Sequence, residues 1–420
     1  MPDTPQHWRR VLGVFLVFLR LGCTSFGGPV AHLAFFRTEF VERRRWLDEH
    51  RYADLVALCQ FLPGPASSQV GMVLGWQRAG WGGLTAAWLG FTLPSALLMV
   101  GFAYGVTQLA ALQTLPLWQG ALQGLKVAAV AVVAQAVWGM ARSLCPDAAR
   151  RALALAAAAL ALGVPWWTGD GTAWGQLLAM AVSAFAGLVW GADWLNPATT
   201  DPSAETDPGF GLPRAAGWVA LLLLVAALLG LPLWAAGGDS ALLAQVDGFF
   251  RAGALVFGGG HVVLPLLQSS VVPSGAVSTT DFLAGYGAAQ AMPGPLFAFS
   301  AYLGAAMNPA VLGQLAPWQG GALMLLAVFA PALLLVVGLL PFWDTLRQRA
   351  GVRTAMVGMN AGVVGLLLAA LVNPVWPSAI HGLPDLALAV AALLALLRWR
   401  LSPLWVVLGC AGAGALWAWI

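Results

Sequence analysis

Charged residues are scarce in this sequence. Asp, Glu, Lys and Arg make up 9% of its 420 residues and apolar residues 60%, whereas soluble domains contain about 25% and about 45–50%. Many runs of about 20 apolar residues follow one another, which is the length that crosses a bilayer as a helix. A soluble core of this size could not bury so much apolar surface. The composition therefore predicts an all-α polytopic membrane protein in contact with a lipid bilayer.

The residue patterns of most enzymes are missing as well. The sequence has no Walker A motif for ATP, no metal-ligand cluster, and no nucleophile elbow or paired carboxylates. Its four cysteines show no metal or pair spacing, and a net charge of +3 gives no reason to expect nucleic acid as a partner. Acidic residues inside the apolar runs are few, which weakens any long proton relay. We therefore expect a transporter without catalytic residues, cofactor or metal, and not an enzyme.

One motif occurs twice, once in each half of the chain. Residues 18–29 (FLRLGCTSFGGP) and 249–260 (FFRAGALVFGGG) place an arginine, a glycine, a phenylalanine and a Gly-Gly pair at identical spacing. Each copy is followed by Pro-Gly-Pro, at 63–65 and 293–295, and a glutamine stands three residues before each. Such self-similarity indicates an internal repeat.

Glycine and proline divide the apolar sequence into broken and unbroken segments, because they end one helical arm and allow another to start. Broken segments are expected near 11–36, 52–76, 242–268 and 281–306. Unbroken segments are expected near 82–106, 117–141, 151–167, 173–195, 215–236, 318–341, 354–372, 384–397 and 402–420. The expected units are an N-terminal repeat (1–195), a polar Pro-rich linker (196–214), a connecting helix (215–240) and a C-terminal repeat (241–420).

The arginines indicate a topology, since Lys and Arg prefer cytoplasmic loops. If the broken segments are re-entrant hairpins, the N-terminus and the basic loop 37–51 both lie in the cytoplasm, and the loops without Lys or Arg lie outside. The hairpins of the two halves then enter from opposite sides, which makes two inverted repeats, each with two hairpins and about four membrane-spanning helices. The alternative is thirteen ordinary spans with kinks.

Two arginines inside apolar segments are candidate anion contacts. An arginine there costs about 2.5–3.5 kcal/mol unless it faces protein, water or a ligand. Arg20 has no acid close in sequence, whereas Arg251 has Asp247 one turn before it. We expect both arginines to contact an anion, and the alternative is that each pairs structurally with a carbonyl or a carboxylate.

The helix breaks add a second reason to expect an anion site. A helix that starts at a break presents free N–H groups and the positive end of its dipole. The alternative is that the glycines serve close helix packing, and Lys126 either recruits an anion or holds a neighbouring helix. The candidate substrate-binding residues are Arg20, Ser25, Phe26, Gly27, Gly28, Gln60, Pro63, Gly64, Pro65, Ser67, Ser68, Gln69 and Lys126, with Arg251, Gly258, Gly259, Gly260, Gln290, Pro293, Gly294, Pro295 and Asn360.

The motifs in combination resemble the chromate transporter family in its long, two-domain form. The matching stretches are 26–29 (FGGP), 60–65 (QFLPGP), 124–129 (GLKVAA), 257–261 (FGGGH), 290–295 (QAMPGP) and 359–365 (MNAGVVG). The resemblance implies a multi-pass protein of the bacterial inner membrane that exports chromate and so confers chromate resistance. It makes sulfate, another tetrahedral dianion, the competing substrate, and leaves a homodimer open as the assembly.

The two halves are not chemically equivalent. Gly260 stands where the first half has Pro29, and Asn360 where it has Lys126. Phenylalanines follow Pro295, where the first half has serines. We therefore expect first-half residues to dominate contact with the anion. The alternatives to a chromate exporter are a carrier of sulfate or another oxyanion, a channel, and a membrane-embedded enzyme.

Overall fold

The structure is a computed structural model, and it describes residues 4–25, 28–107, 115–168, 174–191, 212–238, 240–256, 263–342 and 349–419. Over these residues it is helical and contains no β-strand, which confirms the all-α prediction. Most of the predicted linker lies outside the described residues. The helices of the first half are α1 Thr4–Thr24, α2 Gly28–Arg37, α3 Glu49–Phe61, α4 Ala66–Thr107, α5 Pro116–Leu144, α6 Ala148–Thr168 and α7 Trp174–Trp190.

A helix at the position of the predicted connecting segment comes before the helices of the second half. In chain order they are α8 Arg214–Ala236, α9 Ala241–Leu255, α10 Val263–Val271, α11 Thr279–Ala291, α12 Phe299–Ala306, α13 Pro309–Leu312, α14 Pro317–Leu339, α15 Ala350–Ala370, α16 Trp376–Ala379, α17 Leu383–Leu397 and α18 Pro403–Trp419. Short π-helical turns follow α2 and α15, at Thr38–Arg43 and Leu371–Val375, and 3₁₀ turns lie at Leu296–Ala298 and Leu340–Phe342. The four breaks and the unbroken segments therefore fall close to where the sequence predicts them.

Five helices are long and apolar enough to cross a membrane, counted over the described residues. They are Ala66–Thr107, Pro116–Arg142, Arg214–Ala236, Pro317–Phe342 and Ala350–Ala379. The connecting helix α8 is buried over only 11% of its most apolar window, and large side chains such as Leu222 and Leu233 are exposed on it. Apolar residues on the outside of a helical bundle suit contact with lipid.

Helix α4 is two arms that fold back on each other. Its backbone leaves the helical conformation at Ala79 and Gly80, and Gly80 has a φ of +59°. Gly75 and Gly83, on either side of this turn, approach so closely that a Cβ atom on either would overlap the carbonyl oxygen of the other. Only glycine permits that approach. The first arm, 66–78, therefore reverses direction before the second arm, 81–107, begins.

The arms on either side of each break also lie side by side. In the first half, the Phe18 and Phe36 rings meet edge to face at 5.6 Å, and the guanidinium of Arg78 lies 5.5 Å from the centre of the Trp46 ring. In the second half, the Gln245 amide donates to Ser274 Oγ at 3.0 Å. The N–H of Asn308 donates to the carbonyl oxygen of Ala276 at 2.8 Å in the same half. Each broken segment is therefore a helical hairpin whose two arms run antiparallel.

Helices of the two halves pack against each other. Helix α5 of the first half packs against α18 of the second, and α15 of the second packs against α7 of the first. Glycines make both contacts tight, since a Cβ atom on Gly124 would overlap the Cys410 carbonyl and one on Gly358 would overlap the Ser183 carbonyl. These contacts bring the broken segments of both halves into one core.

Candidate functional site

The breaks of the two halves meet through a pair of exchanged backbone hydrogen bonds. The N–H of Gly64 donates to the carbonyl oxygen of Val256 at 2.7 Å, and the N–H of Gly294 donates to that of Ser25 at 2.8 Å. Ser25 and Val256 occupy the same place in the repeated motif, directly before its phenylalanine. Each Pro-Gly-Pro therefore binds the repeated motif of the opposite half, at the residue before its phenylalanine.

Both donors must be glycine. Gly64 has a φ of +118° and Gly294 a φ of +87°. Residues other than glycine rarely adopt these backbone conformations. A Cβ atom on Gly294 would also lie 3.0 Å from Ser95 Oγ and 3.1 Å from the Phe91 carbonyl oxygen. The flanking residues Pro65, Pro293 and Pro295 are buried, and Pro63 is half-buried.

A group of buried polar side chains lies on the first-half segments next to the exchanged hydrogen bonds. Ser25, His32, Ser67, Ser68 and Gln69 are each at most 2% exposed. His32 Nδ1 lies 3.3 Å from Ser67 Oγ, and Gln69 donates to the Pro63 carbonyl oxygen at 2.8 Å. Ser25 Oγ, His32 Nε2 and Ser68 Oγ have no hydrogen-bond partner within the described chain. A buried polar atom left unpaired costs about 1–3 kcal/mol, so this group has unused capacity for a ligand.

Arg20 lies outside this buried group. Its side chain is exposed on α1, whereas Ser25, just beyond the end of that helix, is fully buried. The charge of Arg20 attracts the buried carboxylate of Glu39. That carboxylate also pairs with Arg43 at 2.9 Å and with Arg44 at 2.6 Å. Sequence reasoning found no acid near Arg20, because Glu39 approaches it only in the folded chain.

Glu39 lies in the π-helical turn, outside the five membrane-length helices. Burial alone favours the neutral acid and would raise the pKa of Glu39, but its hydrogen bond to Arg44 and the charges of Arg44, Arg43 and Arg20 together lower that pKa. Folding therefore favours the ionised carboxylate, which pairs with Arg43 and Arg44 and attracts the charge of Arg20.

Arg251 forms the ion pair that the sequence offered as its structural alternative. Its Nε donates to Asp247 Oδ1 at 2.9 Å, with 36% of the arginine side chain and 16% of the aspartate side chain exposed. The two arginines of the repeated motif thus have different surroundings. Contact of either arginine with an anion stays a prediction.

The remaining candidate residues are spread around the breaks. Gly28 begins α2 with a φ of +79°, Gln60 is exposed near the end of α3, and Gln290 and Asn360 are half-buried. Lys126 is buried on α5, close enough to Asp281 and Asp385 to be attracted by their charges. Phe26, Gly27, Gly258, Gly259 and Gly260 lie outside the described residues.

Sequence reasoning missed two polar residues of α4 that approach the same place. Thr92 is 1% exposed and its hydroxyl has no partner within the described residues, and Ser95 donates to the Thr92 carbonyl oxygen at 3.0 Å. His32, which is not among the candidate residues, also has an Nε2 atom without a partner within the described residues. Polar residues beside Pro94, inside an unbroken apolar helix, were the available signal for the α4 pair.

Comparison with known proteins identifies the family. The family model described as Chromate transporter matches residues 12–191 and 243–415. The chain belongs to the chromate transporter family. Both matched stretches contain a copy of the repeated motif and a Pro-Gly-Pro, so the residues around the exchanged hydrogen bonds lie within the family's own sequence. Together with its long apolar helices, this membership makes the chain a multi-pass membrane transporter.

Curated relatives of this chromate transporter family member cover most of its length. It is 26% identical over 426 residues to a probable chromate transport protein of Synechococcus elongatus, covering 96% of this chain and 94% of that protein. It is 28% identical to a chromate transport protein of Pseudomonas aeruginosa, covering 86% and 80%. It is also 24% identical to an uncharacterized transporter of Methanocaldococcus jannaschii, covering 86% and 84%. No solved structure matches the chain significantly.

Proposed function

We propose that this transporter exports chromate from the bacterial cytoplasm across the inner membrane and so confers chromate resistance. Chromate binds where the breaks of the two halves meet, at N–H groups of the broken helices and in the positive potential of Arg20 and Arg251. The observation that carries this placement is the pair of exchanged hydrogen bonds, Gly64 to Val256 and Gly294 to Ser25. They bring four interrupted helices together inside one apolar bundle.

The chemistry of that place suits a tetrahedral dianion. The first arm of α4 starts at Ala66, directly after Pro-Gly-Pro, and its first N–H groups have no acceptor within the helix. The positive end of the helix dipole favours an anion there. An arginine fork gives charge-assisted hydrogen bonds to an oxyanion of either chromate or sulfate, so sulfate is the competing substrate.

In the proposed topology the four helical hairpins are re-entrant and the halves are inverted repeats. The contacts between Trp46 and Arg78 and between Ala276 and Asn308 support it, because the two ends of each hairpin lie together. An arm of 13 residues, such as 66–78, is about 20 Å long at 1.5 Å per residue, enough to reach the middle of a bilayer. The N-terminus and the basic loop 37–51 then face the cytoplasm.

Vesicle transport tests this function. Inside-out membrane vesicles that contain the transporter should accumulate labelled chromate, and right-side-out vesicles should not. Arg20→Ala and Arg251→Ala should each reduce the flux, while Arg142→Ala, a surface arginine that lies over Trp138, should not. Unchanged flux in both variants would remove the arginines from the site but leave chromate export standing. Excess unlabelled sulfate distinguishes a shared site from a chromate-selective one.

A further inference from the structure

The first-half and second-half residues near the two exchanged hydrogen bonds differ in polarity. The halves are aligned on the repeated motif for residues 25 and 32, on Pro-Gly-Pro for residues 67 and 68, and on the helix prolines Pro94 and Pro331 for residues 92 and 95. Six polar first-half residues then have apolar counterparts, and all twelve residues are buried. The pairs are Ser25 with Val256, His32 with Val263, Ser67 with Phe297, Ser68 with Ala298, Thr92 with Phe329, and Ser95 with Ala332.

We call the six first-half residues of these pairs the polar cluster. It joins the break after α1, helix α2, the start of α4 and the second arm of α4. His32 connects two of these elements, because its Nδ1 lies 3.3 Å from Ser67 Oγ in the first turn of α4 and its ring meets Phe91 of the second arm at 5.3 Å. Gly294 closes the cluster from the other half, next to Ser95 and Phe91.

Four atoms of the polar cluster have unused hydrogen-bonding capacity. Ser25 Oγ, His32 Nε2, Ser68 Oγ and Thr92 Oγ1 have no partner within the described chain, although none of these side chains is more than 1% exposed. Buried polar atoms in folded proteins are nearly always paired. The start of α4 thus combines the N–H groups of a helix N-terminus with unpaired polar side chains beside them.

In the second half, phenylalanine rings occupy two of the positions that correspond to the polar cluster. Phe297 lies 5.7 Å from Phe329, and Phe299 lies 5.2 Å from Phe282, centre to centre. The hydroxyl of Ser300 is already satisfied, since it donates to the Phe297 carbonyl oxygen at 2.6 Å. The described aromatic rings in this part of the second half offer a dehydrated anion no hydrogen-bond donor, and burying an ion without partners is prohibitive.

We propose that the polar cluster is the oxyanion-binding site of this transporter, and that its counterpart in the second half is a closed aromatic contact that takes no anion. Hydroxyl and imidazole N–H groups donate to the anion oxygens, and one anion binds per chain. The inference rests on the proposed function for its ligand class, a tetrahedral oxyanion, but assigns the direct contacts to neutral side chains.

Equilibrium binding of labelled sulfate and, separately, chromate to the purified full-length transporter tests this inference. Ser68→Ala and Thr92→Val remove one donor each with little change in shape and should weaken binding by about tenfold or more. His32→Val, which installs the second-half residue, should weaken it further, and His32→Gln, which keeps a donor, should restore part of it. The saturating stoichiometry should be one anion per chain.

A matched control is Ser183→Ala. Ser183 is also a fully buried serine whose hydroxyl lacks a partner in the described part of the chain, but it lies on α7 against α15. The Ser183→Ala variant should bind sulfate and chromate with wild-type affinity. Wild-type affinity in Ser68→Ala and Thr92→Val, or two anions per chain, would overturn the inference.

The same measurements separate this inference from the proposed function. If the wild type binds sulfate but not chromate, and the cluster variants lose sulfate, the chromate function fails while the polar cluster stands. If chromate flux is normal in the cluster variants but lost in Arg20→Ala and Arg251→Ala, the function stands and the cluster assignment fails. Should His32→Val not fold, as judged by size-exclusion chromatography, the serine and threonine variants decide.

Discussion

The N–H of Gly294 donates to the carbonyl oxygen of Ser25 at 2.8 Å, across the boundary between the two halves of the chain. Its counterpart, from Gly64 to Val256, is 2.7 Å long. Because each half supplies one donor and one acceptor, neither half completes the centre of the molecule alone.

Replacing the central glycines should destabilise the transporter. Gly294→Ala forces a side chain into a φ of +87° and towards Ser95 and Phe91, and the left-handed conformation alone costs about 1–2 kcal/mol. Gly64→Ala should behave in the same way. Thermal unfolding of the purified protein measures the loss. Gly13→Ala is the control, since Gly13 lies in α1 with open space at its Cβ position; an unfolding temperature of Gly294→Ala equal to that of the wild type would contradict the geometry.

Variants of the Arg251–Asp247 pair can distinguish a role of Arg251 in stability from a role in chromate transport. Arg251→Gln leaves the Asp247 carboxylate without its partner at 2.9 Å, so it should lower the unfolding temperature. The double variant Asp247→Asn, Arg251→Gln removes both charges and should recover stability. If the positive charge of Arg251 also attracts the anion, as we propose, the double variant should still transport less chromate than the wild type. Full recovery of both properties would make the pair purely structural.

Glu39 should make stability depend on acidity. The folded pKa of Glu39 is below its unfolded value, so folding favours the ionised form. This contribution is complete above the unfolded pKa, about 4.3, and is lost as the pH falls through the lower folded pKa. Glu39→Gln should flatten that part of the curve of unfolding temperature against pH. Glu42→Gln, which removes an exposed pair with Arg37, should change it little; an unaltered acid slope in Glu39→Gln would refute the assignment.

Cysteine labelling tests the re-entrant topology. In the proposed arrangement, Gln6→Cys and Glu42→Cys, both at exposed positions, react with an impermeant thiol reagent from the cytoplasmic side. Gln314→Cys, exposed between α13 and α14, reacts from outside. Cys23 is the exposed native thiol among the described cysteines, so the variants are best made in a Cys23→Ser background. Thirteen ordinary spans would instead put residues 6 and 42 on opposite faces.

Local sequence chemistry predicted the helices well. The Pro-Gly-Pro breaks end α3 and α11 within two residues of the first proline, because proline and glycine act on the backbone next to them. The turn at Ala79–Gly80 follows the same rule, since Gly80 carries a positive φ, and it lies in the gap that the sequence predicts between the segments 52–76 and 82–106. The unlike chemistry of the two halves was also visible, in Phe297 and Ser67 at matching positions.

The sequence by itself determined an all-α membrane protein, the positions of its four breaks and the family to which it belongs, because apolar length, glycine and proline act locally. Only the tertiary structure decided which residues meet. It placed Glu39 near Arg20, bound Gly294 to Ser25, and brought Phe91 of the second α4 arm against the His32 ring. These contacts depend on how helices far apart in the sequence pack against each other, and no local spacing encodes them.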